Sequence, residues 1–129
     1  MNVEELIACA VRVRENACAD YSHYKVGAAL LASSGQVYTG CNIENSSYGL
    51  TVCAERVALW KALSEGERAF TQIAVVTSSD APASPCGACR QLLWEYGGNL
   101  KVILANLQGF RKTLQLAELF PHPFDRSSL

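Results

Sequence analysis

Three cysteines and one glutamate have residue types and spacing suited to metal-dependent chemistry. Cys86 and Cys89 lie three positions apart in the stretch SPCGACRQLL, residues 84–93. Taken alone, such a pair fits a redox couple, half of a structural zinc site or half of a catalytic one. Cys53 and Glu55 lie about thirty residues upstream in the stretch CAERVALW. The combination of the two stretches therefore has to decide among these three kinds of site.

Helices at the predicted positions would bring the three cysteine side chains to a single metal ion. Apolar periodicity predicts a helix after each stretch, so Cys53 and Cys86 fall at predicted helix N-termini. A helix N-terminus favours the thiolate, which is the form that binds metal. Cys89, one turn after Cys86, would share its helical face. Three protein ligands with an open fourth position are typical of catalytic zinc, and Glu55 would be placed to move the proton of an activated water.

Three thiolates bring more negative charge than one Zn²⁺ can offset. Such an excess weakens the metal as a Lewis acid unless nearby donors compensate for it. Arg56 directly follows Glu55 and Arg90 directly follows Cys89. We therefore expect both guanidinium groups to donate hydrogen bonds to the thiolates. The alternative interpretation is that both are solvated helix charges.

Two simpler interpretations of the cysteines compete with catalytic zinc. A thioredoxin-like redox pair would not require the upstream Cys53-x-Glu55 motif, so this motif favours a metal. A closed structural zinc site would need a fourth ligand, and Cys41 is the one candidate. Cys41 lies on a predicted apolar face, which favours a role in the core. Cys9 and Cys18 belong to the first predicted helix and are expected to be packing or surface thiols.

The elements that must position these residues follow from the spacing of apolar side chains. The pattern predicts helices over residues 2–18, 53–64 and 86–96, with a short closing helix in LQLAELF. It predicts strands over 26–32, 36–44, 72–77 and 101–106, with a short fifth near 110–114. This order predicts an α/β fold, a three-layer α-β-α sandwich around one mixed, about five-stranded sheet.

Alternation in the second predicted strand assigns its side chains to two faces. Val37, Cys41 and Ile43 are expected on the apolar face, whereas Tyr38, Asn42 and Glu44 are expected on the other face. Asn42 and Glu44 would then lie on the same side of the chain. Their ordinary interpretation is as solvated strand residues, and the pattern alone does not separate this from a binding role.

Composition limits the classes of function that remain. A chain of 129 residues has room for one domain, here residues 1–129. The net charge of −1 provides no basic surface for DNA or RNA, so we expect no nucleic-acid partner. No apolar run approaches the length of a membrane span, and the N-terminus has no export pattern. These features predict a cytoplasmic protein with reduced cysteines and no membrane partner.

Three longer stretches extend the motif over nearly the whole chain. They are YSHYKVGAALL, GCNIENSSYGLTVCAERVALWKALSEGE and SPCGACRQ. With the pattern C-A-E followed by P-C-x-x-C, the chain resembles the zinc nucleoside and nucleobase deaminases. Within that group it is most similar to the small homotetrameric cytidine deaminases that have three cysteine ligands.

The resemblance implies a role for each matching residue. It assigns one Zn²⁺ per subunit to Cys53, Cys86 and Cys89, and proton transfer to Glu55. It implies that Asn42 and Glu44 contact the ribose hydroxyls. Tyr24, where the family usually has phenylalanine, would contact the pyrimidine, and the backbone of Ala54 would contact the base. Phe124 would reach the site of a neighbouring subunit. Tyr48 would lie near a subunit boundary. On composition alone, Tyr24 and Phe124 would be core aromatic residues.

The implied reaction is hydrolytic deamination of cytidine and 2′-deoxycytidine to uridine and 2′-deoxyuridine, with release of ammonia, as in pyrimidine salvage. A related aminonucleoside, such as a blasticidin-type antibiotic, or a polynucleotide would be an alternative substrate. A zinc-stabilised binding module without turnover is a third alternative, which requires a closed metal site. The Asn42-x-Glu44 match favours a ribose with free hydroxyls.

Overall fold

A computed structural model describes all 129 residues and contains four α-helices and five β-strands. The helices are α1 (Val3–Arg14), α2 (Ala54–Ser64), α3 (Gly87–Gly97) and α4 (Leu116–Leu119). The strands are β1 (Gly27–Ala32), β2 (Val37–Cys41), β3 (Phe70–Val76), β4 (Lys101–Ala105) and β5 (Arg111–Gln115). None of the helices has the length and apolar character needed to cross a membrane.

The five strands form one mixed sheet in the order β2-β1-β3-β4-β5. β3 and β4 are parallel, because α3 carries the chain back between them, and the other neighbouring strands are antiparallel. The sheet therefore confirms the predicted mixed, five-stranded α/β architecture.

Alternating side chains of the central strands fill two cores, one on each face of the sheet. Ile73 and Val75 of β3 pack in the core shared with α2 and α3, whereas Ala74 packs in the core shared with α1. β1 and β4 follow the same period of two, as in Leu30 and Ala29. These two cores make the helices the outer layers of the predicted three-layer sandwich.

Gly40 of β2 allows α2 to lie directly against the sheet. A Cβ atom at Gly40 would lie 2.5 Å from the backbone nitrogen of Ala58 and 2.6 Å from the backbone oxygen of Ala54. Both neighbours are main-chain atoms of α2, so they cannot move aside as a flexible side chain would. The absence of a side chain at Gly40 therefore sets how close the N-terminal half of α2 comes to the sheet.

The structure corrects two predicted boundaries, the end of α1 and the end of β2. α1 ends at Arg14 rather than at residue 18, because Cys18 pairs with Ile43 in an isolated bridge. β2 ends at Cys41, and Ile43 also bridges to Val52. The side chain of Ile43 is 44% exposed, so its predicted place on the core face is wrong. Cys41 is buried, as expected of a core residue.

Candidate metal centre

Three cysteine sulfurs meet where α2 and α3 begin. Cys53 immediately precedes α2, Cys86 immediately precedes α3, and Cys89 lies in the first turn of α3. Their Sγ atoms all lie within 4.8 Å of one another, and those of Cys53 and Cys86 are 3.7 Å apart. Two thiolates on a tetrahedral zinc ion, each at about 2.3 Å, would be about 3.8 Å apart. The spacing of the sulfurs therefore fits zinc.

The two cysteines that precede helices are free to bind a metal. Cys53 and Cys86 have extended backbones at the N-cap positions, and neither side chain accepts a capping hydrogen bond. The cluster contains no fourth cysteine, histidine or carboxylate, so Cys41 does not close it. Three ligands with one position open are typical of catalytic rather than structural zinc.

Hydrogen bonds among the clustered side chains shift the pKa values of Cys53 and Cys89 in opposite directions. A hydrogen bond from Cys89 and a second from Arg56 lower the pKa of Cys53 to about 5, although burial opposes them. The hydrogen bond to Cys53, together with burial, raises the pKa of Cys89. The lowered pKa of Cys53 favours the thiolate, which is the form that binds metal.

Glu55 lies in the first turn of α2, beside the cluster. Its side chain is buried, and burial raises its pKa to about 7. Glu55 lines the same cavity as Cys53 and Cys86. A carboxyl with a pKa near neutrality can both accept and donate a proton under ordinary conditions.

Arg56 and Arg90 differ in their relation to the sulfurs. Arg56 donates a hydrogen bond from Nη2 to Cys53 Sγ at 3.4 Å, and its guanidinium carbon lies 6.0 Å from the centroid of the Trp60 ring. The Nε atom of Arg56 is buried and has no hydrogen-bond partner. Arg56 thus has the contact that was expected from its position after Glu55.

The structure does not support the expected hydrogen bond from Arg90 to a thiolate. Arg90 donates instead to the backbone oxygens of Pro85 and Leu119, at 2.7 and 2.8 Å, and to Ser84 Oγ at 2.8 Å. These contacts engage all three of its nitrogens. Arg90 therefore fixes the loop that leads into Cys86 and joins it to α4.

A cavity of about 310 Å³ opens beside the cysteines and Glu55. Four of the residues expected to contact substrate line it, namely Tyr24, Asn42, Glu44 and Ala54. Phe124 does not: its side chain is 60% exposed on the C-terminal segment, and its backbone oxygen accepts a hydrogen bond from Gln91. Tyr48 is also exposed, close to Tyr21, with 6.2 Å between the ring centroids.

Asn42 and Glu44 hold the segment that precedes β1 while they line the cavity. Asn42 accepts from the backbone nitrogen of Val26 and donates to the backbone oxygen of Tyr24, both at 2.8 Å. Glu44 Oε1 accepts from the backbone nitrogens of Tyr21 and Ser22, each at 3.0 Å. The Ser22 hydroxyl also donates to Glu44 and is the main cause of its lowered pKa. Glu44 is therefore an ionised acceptor at the cavity wall.

The cavity also has polar walls that the motifs did not indicate. Ser22, Thr51, Thr77 and Ser84 line it, together with Val26, Val52, Val75 and Ala83. Thr77 directly follows β3, and ligand sites of α/β sheets gather at the carboxyl ends of strands. Thr77 could therefore have been found from its position, whereas the other polar residues lie in loops with no periodic pattern.

Comparisons with known proteins agree on one family. The model of the cytidine and deoxycytidylate deaminase zinc-binding region matches residues 1–105. A cytidine deaminase of Sporosarcina psychrophila is 49% identical, over 100% of this chain and 96% of that protein. One from Halalkalibacterium halodurans is 50% identical, over 96% of this chain and 95% of that protein. The crystal structure of cytidine deaminase from Burkholderia pseudomallei aligns with a TM-score of 0.93 and 48% identity, covering 96% of this chain and 100% of that one.

Proposed function

This chain belongs to the cytidine and deoxycytidylate deaminase family, and from that membership we propose a zinc-dependent hydrolytic deamination of cytidine and 2′-deoxycytidine to uridine and 2′-deoxyuridine. The observation that carries the proposal is the cluster of three cysteines with Glu55 buried beside it, at the wall of a cavity. The open fourth position favours turnover over a zinc-stabilised binding module.

The zinc ion would be held by Cys53, Cys86 and Cys89. When bound, it supplies a Lewis acid that lowers the pKa of a water molecule toward neutrality. Arg56 would offset part of the thiolate charge through its hydrogen bond to Cys53. This hydrogen bond would reduce the electron density that the thiolates donate to the zinc ion, so that the ion remains an effective Lewis acid.

Glu55 would perform the proton transfers. Its carboxylate takes a proton from the attacking water and delivers it to N3 of the pyrimidine as the water oxygen bonds to C4. It then relays the second proton of that water to the amine at C4, the carbon–nitrogen bond breaks, and ammonia leaves. The raised pKa of the buried carboxyl group suits both directions of transfer.

The rest of the cavity would bind the nucleoside. We assign the pyrimidine to the ring of Tyr24 and the backbone of Ala54, and the ribose hydroxyls to Asn42 and Glu44. All four residues line the cavity that contains Glu55, which supports this assignment. The lining includes two carboxylates and no lysine or arginine, which favours a neutral nucleoside over a nucleotide or a nucleic-acid strand. Pyrimidine salvage is the role that such a substrate suits.

We further propose that the single domain assembles into a homotetramer with Phe124 near a neighbouring site. Exposed apolar side chains close to the cavity support an interface there, namely Tyr21, Ile43, Tyr48 and Leu50. All six cysteines are free thiols, and a metal site made of thiolates works only where thiols stay reduced. This requirement supports a cytoplasmic location.

Substitution of Glu55 tests the proposed reaction. Glu55→Gln should lower kcat by about 10²–10⁴-fold while the protein retains its zinc, because the amide cannot accept the proton of the water. The loss of ultraviolet absorbance as cytidine becomes uridine measures turnover, and elemental analysis measures zinc. Glu65→Gln, at the exposed C-terminal end of α2, is the control and should match the unaltered protein. Near-normal turnover of Glu55→Gln, or inactivity of the zinc-loaded unaltered protein on both nucleosides, would refute the proposal.

A further inference from the structure

The hydroxyl group of Tyr24 joins two separate walls of the cavity. Tyr24 Oη lies 3.0 Å from Ser79 Oγ, which in turn lies 3.0 Å from Thr77 Oγ1. Tyr24 belongs to the segment before β1, whereas Ser79 belongs to the loop between β3 and α3. Tyr24 and Thr77 both line the cavity, whereas Ser79, which contacts both of them, is not among its lining residues.

Ser79 is itself anchored to the sheet. The side chain of Asn106, buried at the end of β4, donates to the backbone oxygens of Ser79 and Asp80, both at 3.1 Å. The Asn106 oxygen accepts from the backbone nitrogens of Gln108 and Phe110, both at 2.9 Å, which fixes the orientation of its amide. The loop is therefore firmly held at the residue whose hydroxyl meets Tyr24.

The other end of Tyr24 is also held. Its backbone oxygen accepts from Asn42 Nδ2 at 2.8 Å, and its backbone nitrogen donates to Ser22 Oγ at 3.0 Å. The aromatic ring is thus fixed at the main chain by Asn42 and Ser22 and at its tip by Ser79. An aromatic side chain that is hydrogen-bonded at both ends is already ordered. Ligand binding then does not have to restrict its torsion angles.

We propose that Ser79 is a positioning residue, which acts through the Tyr24 hydroxyl to hold the Tyr24 ring as a preformed wall for the pyrimidine. This inference rests on the proposed function. Without the hydrogen bond, the substrate itself would have to order the ring, so binding would weaken. The chemical step depends on Glu55 and the cysteines, and the Tyr24 ring takes no part in it. The effect is therefore confined to binding and enters KM rather than kcat.

The test is a double-mutant cycle with Tyr24→Phe and Ser79→Ala in the zinc-loaded protein, using cytidine. Each single substitution should raise KM by about 2- to 10-fold and change kcat by less than about twofold, because each removes the hydrogen bond between Tyr24 and Ser79. Ser79→Ala also removes the contacts of Ser79 Oγ with Thr77 and with the backbone oxygen of Ala81. The double variant should be no worse than Ser79→Ala, since the bond between Tyr24 and Ser79 can be lost only once. Ser79→Thr retains a hydroxyl group and should restore KM to near the original value.

Tyr38→Phe is the matched control for the loss of a tyrosine hydroxyl. Tyr38 Oη donates to Glu67 Oε2 at 3.0 Å, and neither residue lines the cavity. Its substitution should leave KM unchanged, even where thermal unfolding shows reduced stability. A KM that rises equally in Tyr38→Phe would assign the Tyr24 effect to general loosening of the fold and overturn the inference.

The remaining outcomes separate this inference from the proposed function. Unaltered protein that deaminates cytidine, with an unchanged KM in Tyr24→Phe or additive effects in the double variant, would overturn the positioning role alone. A fall in kcat as large as the rise in KM would also overturn it. Unaltered zinc-loaded protein with no turnover of cytidine or deoxycytidine would overturn the proposed function and this inference with it.

Discussion

Among single residues, Arg56 has the most direct influence on the charge of the metal centre. It donates to Cys53, whereas all three nitrogens of Arg90 are engaged by Pro85, Leu119 and Ser84. One guanidinium group therefore accompanies three sulfurs. Arg56 therefore offsets the negative charge of the thiolates alone, instead of sharing that role with Arg90.

We predict that Arg56→Ala weakens zinc binding by about 10- to 100-fold, because the donor that stabilises the Cys53 thiolate is removed. Competition with a chromophoric chelator measures the affinity. Arg12→Ala is a matched control, since Arg12 also donates to a cysteine sulfur, that of Cys9 at 3.2 Å, outside the centre. Equal zinc affinities for Arg56→Ala and the unaltered protein would contradict the prediction.

The sequence predicted the ligands better than it predicted their neighbours. Cys86 and Cys89 are one helical turn apart, so local geometry alone brings their sulfurs together. The direction of Arg90 depends on Leu119, which lies 29 positions further along the chain. A residue whose partners come from a distant segment cannot be oriented from local spacing.

At the scale of elements, the interior of each strand was more predictable than its ends. Alternation within β1, β3 and β4 follows from the pleat, so the two faces could be assigned from the residues. The ends of α1 and β2 are set by the pairing of Ile43 with Cys18 and Val52, which is not local. The exposure of Ile43 follows from that pairing rather than from its residue type.

Gly40 offers a test of how the position of α2 governs activity. Gly40→Ala should lower the free energy of unfolding by about 1–3 kcal/mol, because its methyl group meets backbone atoms of α2. It should also lower turnover by at least about tenfold, since α2 carries Glu55 and begins at Cys53. Urea unfolding of the zinc-loaded protein and the absorbance assay measure the two effects.

Gly97→Ala provides the comparison for Gly40→Ala. A Cβ atom at Gly97 would lie 3.4 Å from Leu100 Cδ2, which is an ordinary contact with a flexible side chain. This variant should retain both stability and turnover. If Gly40→Ala behaved in the same way, close approach of α2 to β2 would not be what positions the site.

For the molecule as a whole, the C-terminal segment is held so that the Phe124 ring is exposed and does not line the cavity of its own chain. Gln91 donates to the Phe124 backbone oxygen at 2.8 Å, and Trp94 donates from Nε1 to Asp125 Oδ2 at 2.8 Å. Both donors lie on α3, so two hydrogen bonds fix the segment at Phe124 and at the residue that follows it. An aromatic ring held outward is suited to contact a second copy of the chain.

Mixed assemblies test whether Phe124 acts on a neighbouring subunit. Phe124→Ala alone should raise KM, because a wall of the neighbouring site is lost. Co-assembly of Phe124→Ala with Glu55→Gln subunits should restore activity above the sum of the two, since both defects can then fall on one site and leave the neighbouring site intact. Light scattering measures assembly, and the absorbance assay measures turnover. Mixtures that never exceed the sum, or a fully active monomer, would contradict the prediction.

The uncapped starts of α2 and α3 have a consequence for how such a chain evolves. Serine, asparagine or aspartate at an N-cap typically stabilises a helix by about 1 kcal/mol, and the cysteines at positions 53 and 86 make no such bond. Selection for stability alone would therefore favour replacing both of them, whereas selection for turnover opposes it. Among descendants of this chain, we expect proteins with a capping residue at either position to retain the fold and to lack the activity.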